Sequence, residues 1–202
     1  RKEGSLDKIR QAMGKAAKAI RDLGAKSCAT PVHGPRNGTP PRSGNDHGRN
    51  ATQALEAAQA MVEGALLGLY QFTTYRTEHT DEVKTLRRMT VVVSDARALA
   101  EVRQGVRHGQ IAGEAAVFVR DLCNHPANVV TPTYIANEAR KVAKGKDSRV
   151  RCTVLDRPQM QRLGMGAILG VAQGSHEPPK FIIMEYRGAA RAERPVVLVG
   201  KT

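Results

Sequence analysis

Two hydrophobic rhythms alternate along this chain, and their alternation restricts its fold more than any other feature. Leu6, Ile9, Met13, Ala16, Ala17, Ile20 and Leu23 recur at three- and four-residue steps behind Ser5, a ready N-cap, and Gly24 is placed to end the turn. The spacing predicts an amphipathic helix. A short strand is expected at Ser27 to Val32, and helical spacing returns from Ala51 to Tyr70 through Leu55, Ala58, Met61, Ala65, Leu66 and Leu69. Met89 to Val93 is a β-branched run of the buried-strand kind, followed by helical spacing from Ala96 to Cys123. Gly105, Gly109 and Gly113 are expected to break that helix in two.

Downstream, Thr131-Pro132 forms an N-cap and first helical residue for a helix over Thr133 to Lys144. Strands are expected at Val150 to Leu155, Phe181 to Tyr186 and Val196 to Val199, with a short helix from Pro158 to Leu163. Helices alternating with apolar strands predict an α/β fold, a sheet layered with helices. His33 to Asn50 carries Gly, Pro, Asn, Arg and Ser with no Leu, Ile, Val, Phe or Met, and reads as a mobile surface loop, 33–50.

Charge narrows the partners. The chain holds 32 Lys and Arg against 19 Asp and Glu, a formal +13, but these charges lie singly along it rather than in tracts. Aromatic residues make up only 3%, with no Trp, so stacking platforms for single-stranded nucleic acid are poorly supplied. Weak, non-specific nucleic-acid binding is the most this composition supports. Cys28, Cys123 and Cys152 are too few and too scattered for a disulfide framework, which fits a reducing, cytoplasmic setting. No apolar run approaches the ~18 to 20 residues of a membrane span, and the first 30 residues lack a signal-peptide core. Arg1 in place of Met, and an end directly behind an apolar run, lead us to expect a piece of a longer protein.

Three chemical motifs fail on spacing. Gly200-Lys201-Thr202 resembles the tail of a phosphate-binding loop, but the glycine required five residues earlier is Pro195. His176-Glu177 suggests a zinc-protease helix, yet the second histidine would fall at Lys180, and Pro178-Pro179 would obstruct the helix. Cys123 and His125 stand two apart with no further ligands nearby, so they read as a thiol beside a loop histidine.

The run Arg120-Asp121-Leu122-Cys123-Asn124-His125-Pro126-Ala127-Asn128-Val129-Val130-Thr131-Pro132 resembles the interdomain segment of leucyl aminopeptidases, with its Asn-x-Pro-Ala-Asn-x-x-Thr-Pro pattern. Further matches follow in that family's order: Leu163-Gly164-Met165-Gly166-Ala167, Gly174-Ser175-His176-Glu177-Pro178-Pro179, Glu185-Tyr186-Arg187-Gly188 and Val199-Gly200-Lys201. Upstream, Glu63-Gly64-Ala65 with Leu69-Tyr70, Phe72 and Tyr75 is similar to the family's N-terminal domain.

The resemblance implies an N-terminal α/β domain over 1–130, a linker helix over 131–146 and the opening of a catalytic domain over 147–202. It implies a two-metal exopeptidase acting on peptide substrates, assembled as a homo-hexamer (a dimer of trimers). Its two divalent ions are zinc, manganese or magnesium, with bicarbonate as a proton shuttle. Lys201 is the one metal ligand expected within this chain, and no catalytic residue is expected in it, so the chain alone should be inactive. The competing expectation is a basic, non-catalytic relative that binds nucleic acid or serves assembly through Arg36, Arg42 and Arg49.

Overall fold

A computed structural model of the chain describes residues 5–33, 47–145, 148–188 and 193–201. They divide into two compact units, Arg1–Asn124 and His125–Thr202.

The first unit is built around one helix. α1 spans Leu6–Asp22, and the Ser5 side chain accepts from the Lys8 amide at its start. Gly24 closes it with φ +85°, a left-handed conformation open to glycine at little cost. β1 (Ser27–Pro31) and β2 (Arg88–Val92) pair in parallel, Cys28 opposite Met89 and Thr30 opposite Val91. Parallel neighbours need a long crossover, and α2 (His47–Leu69) supplies it. α3 spans Leu99–Asn124. α1 and α3 both pack on α2, whose Ala57, Ala58, Ala60, Met61, Val62 and Ala65 are buried.

Two expectations change here. α2 begins at His47, four residues earlier than its apolar spacing suggests, so 47–50 are helix; the remainder of the 33–50 loop, 34–46, lies outside the described residues. α3 is one continuous helix, because Gly105, Gly109 and Gly113 fall on one face, four residues apart, and turn that face to α2. A Cβ on Gly105 would collide with the Leu55 carbonyl, and one on Gly109 would lie 2.5 Å from the Gln59 carbonyl oxygen. The close approach of two backbones offsets the roughly 1 kcal/mol that each glycine costs a helix.

In the second unit, Thr131 caps α4 (Pro132–Ala143) by accepting from the Tyr134 amide at 3.3 Å. β3 (Val150–Leu155) pairs antiparallel with β4 (Phe181–Tyr186), and α4 packs on both strands. Between the strands lie α5 (Arg157–Arg162) and α6 (Gly166–Val171). α5 starts on a reciprocal cap, Asp156 accepting from the Gln159 amide while the Gln159 side chain accepts from the Asp156 amide. The tight turn into α6 holds Gly164 at φ +68°. Ala136, Ala139 and Met160 form the buried centre.

The strand expected at Val196 to Val199 is absent; these residues are 75% to 93% exposed and run without a strand partner among the described residues. An apolar, β-branched run becomes a strand only where a neighbouring backbone takes its N–H and C=O groups.

Candidate functional site

Lys201 is exposed and lies, two residues past Val199, in a stretch that is neither helix nor strand. Among the described residues no three His, Cys, Asp or Glu side chains gather as a metal site would require. The donors described here therefore do not fit a centre for two divalent ions, which asks for several carboxylates.

The rejected motifs fail in space as they do in sequence. His176 and Glu177 lie in an exposed bend where the Glu177 amide donates to Ser175 Oγ at 3.1 Å. Cys123 sits exposed on the last turn of α3, whereas the His125 ring lies against Tyr134 with centroids 6.1 Å apart. Among the described residues Glu101 Oε2 is buried without a hydrogen-bond partner, and Glu101 belongs to no ligand group.

Most of the motif segments carry structure. Pro126 O accepts from the Val129 and Val130 amides at 2.9 and 3.1 Å, which folds the Asn-x-Pro-Ala-Asn run into a turn ahead of the Thr131 cap. The Leu163 to Ala167 motif is the Gly164 turn, closed by the Met165 amide on Met160 O. Glu185 on β4 pairs with Arg187 at 2.8 Å, and that hydrogen bond holds its carboxyl below the ordinary range, with the Arg187 and Arg151 charges adding to the effect.

One side-chain cluster was not foreseen. Tyr70, just past α2, donates from its hydroxyl to Asp121 Oδ1 at 2.8 Å and accepts from Asn124 Nδ2 at 3.0 Å. The Arg120 guanidinium stacks 5.5 Å over its ring and donates to Leu67 O at 3.0 Å. Burial pushes the phenol above its ordinary value, and the bond to Asp121 adds to the shift. Tyr70 and the Arg120 to Asn124 run were visible only as separate pieces of family-like sequence, 50 residues apart in the chain.

The sequence model of the cytosol aminopeptidase family, catalytic domain, matches residues 117–202, starting in the last turns of α3. Over 201 residues the chain is 37% identical to a probable cytosol aminopeptidase of Geotalea uraniireducens, an alignment covering 98% of this chain and 37% of that protein. The chain belongs to the cytosol aminopeptidase family. A second family relative, the probable cytosol aminopeptidase of Syntrophotalea carbinolica, is 39% identical over 147 residues, 72% of this chain and 29% of that one. The chain thus spans about a third of the length of the curated cytosol aminopeptidases it matches. A solved bottromycin maturation enzyme in complex with Mn matches with TM-score 0.69 at 26% identity, over 90% of this chain and 33% of that one. A tomato leucine aminopeptidase mutant shares the fold with TM-score 0.72 at 24% identity, again over 90% and 33%. No helix among the described residues is long and apolar enough to cross a membrane.

Proposed function

We propose that this chain is the N-terminal portion of a metal-dependent aminopeptidase that releases N-terminal amino acids, leucine-type, from peptides, and that it is inactive by itself. The carrying observation is the catalytic-domain match over 117–202, joined to relatives of which the chain spans about a third. In this reading residues 1–130 form the N-terminal domain, 131–146 the linker helix and 147–202 the start of the catalytic domain, within a cytoplasmic homo-hexamer.

Lys201 is then one ligand of a centre for two divalent ions, zinc, manganese or magnesium, with bicarbonate beside it. The manganese-bound relative supports a divalent metal. As an ammonium, Lys201 has no lone pair to give, so the role requires burial and nearby cations to strip its proton. The role also requires carboxylate ligands from sequence beyond this chain, because one amine cannot neutralise about four positive charges.

The test is metal analysis and leucyl-amide hydrolysis on the longer parent protein and on this chain. Lys201→Ala in the parent should lower both metal content and turnover, and Lys201→Arg should do no better, since a guanidinium keeps its proton. This chain alone should retain no metal and hydrolyse nothing. Full metal occupancy and full activity in Lys201→Ala would remove Lys201 from the centre.

A further inference from the structure

We propose that the proton on the Tyr70 hydroxyl is a clasp for the end of α3: while it is present the last turn of α3 is fastened beside the end of α2, and alkali that removes it releases that turn alone. The hydroxyl spans two residues of the one turn, donating to Asp121 Oδ1 at 2.8 Å and accepting from Asn124 Nδ2 at 3.0 Å. An ionised carboxylate only accepts and an amide nitrogen only donates, so the phenol proton points at Asp121.

Losing that proton reverses the first bond. A phenolate has nothing to donate, and its oxygen would face the Asp121 carboxylate with no proton between two like charges. Burial raises the phenol above its ordinary value of 10.0, and Asp121 adds to the rise, whereas the Asn124 amide and the Arg120 guanidinium, 5.5 Å over the ring, favour the anion and lower it. Among the described residues α1 adds Arg21, which donates to Leu69 O one residue earlier and pairs with Asp22 at 2.8 Å. Because the folded value lies above the unfolded one of about 10, the clasp contributes fully below the unfolded value and is lost as pH rises through the folded one. The other ties of α3 to α2 carry no proton that titrates there. They are the face of Gly105, Gly109 and Gly113 and the bond from Arg120 to Leu67 O, so the release is confined to the last turn.

NMR titration of the 202-residue chain with labelled tyrosine rings and Leu and Ala methyls tests the clasp, the Tyr70 signal being the one that Tyr70→Phe deletes. Asp121→Asn keeps an acceptor and removes its charge, so the Tyr70 midpoint should fall; Asn124→Ala, at an exposed position, removes the donor, so the midpoint should rise. The Leu122 methyls, in the last turn of α3, should shift with the Tyr70 midpoint in the wild type and show no such step in Tyr70→Phe. The Ala57 and Ala58 methyls, buried in α2, should not follow it. At neutral pH, Tyr70→Phe should raise amide exchange at Asp121 to Asn124 roughly three- to tenfold, the ratio that losing a hydrogen bond of ordinary net strength produces. Midpoint shifts of the same sign in Asp121→Asn and Asn124→Ala, or Leu122 methyls indifferent to the Tyr70 midpoint, overturn the proposal. So do Ala57 and Ala58 methyls that move with it, which would make the proton a support of the whole helix layer.

Discussion

Three basic side chains take carbonyls that helix ends leave without partners. Arg21, only 7% exposed, donates to Leu69 O at the end of α2, Arg120 donates to Leu67 O in the same last turn, and Lys84 donates to Asp22 O at the end of α1. Each places positive charge at the negative end of a helix, where dipole and hydrogen bond act together. Part of the excess of Lys and Arg therefore works inside the fold, which weakens any reading of that excess as a nucleic-acid surface. Of the arginines in the 33–50 segment, Arg36 and Arg42 lie outside the described residues. A pH effect belongs at this scale too. Glu185 has its carboxyl lowered first by the hydrogen bond from Arg187, so its contribution is present above the unfolded-state value and is lost as pH falls through the lower, folded one. By NMR titration its midpoint should lie below the ordinary 4.5, and Arg187→Gln should move it back up. An unchanged midpoint in that variant would remove Arg187 as the cause.

Among the elements, α2 decides how the first unit packs. α3 meets it through Gly105, Gly109 and Gly113, and α1 meets it through Gly14, where an added Cβ would lie 3.0 Å from the Gly64 carbonyl oxygen. Arg10 of α1 adds an ion pair with Glu63 of α2 at 2.7 Å. These glycines serve the contact by having no side chain, so their substitution should depend on location alone. Gly109→Ala should destabilise by about 1 to 3 kcal/mol, because its Cβ meets the α2 backbone and the Val62 side chain and something must shift. Gly170→Ala, in α6 with nothing within 4 Å of the added Cβ, should be neutral or stabilise by about 0.4 to 1 kcal/mol through the unfolded chain. Urea denaturation of both variants checks the pair; equal effects would show that helix propensity, and not contact, governs the two sites.

Over the whole molecule, apolar burial is unevenly shared. Among the described residues the first unit buries Met13, Ala17, Val102 and a long stretch of α2 while leaving Leu23, Ile111 and Val119 exposed, whereas the second buries fewer apolar residues, Ala136, Ala139 and Met160, and leaves Ile183, Met184, Tyr186 and Val196 to Val199 exposed. Hydrophobic stabilisation follows apolar area removed from water, so the second unit should open at lower free energy. In amide exchange under rising urea, β3 and β4 should lose protection before the centre of α2. Simultaneous loss in both would mean that the two units unfold as one.

Local rules made much of this chain legible. Ser5, Thr131 and Gly24 mark helix ends from the sequence because a cap is settled within four residues, and the periods of α1, β3 and β4 place those elements nearly to the residue. The five ordered motifs likewise carried the family, since order and spacing survive without coordinates. What the tertiary structure alone decided was where partners are. Gly105, Gly109 and Gly113 look like helix breakers until a second helix lies against them. Val196 to Val199 looks like a strand, but it pairs with no described strand. Tyr70 finds Asp121 and Asn124 from 51 and 54 residues away, a distance no local pattern spans. Period and capping are set by neighbours along the chain, and packing is set by neighbours in space.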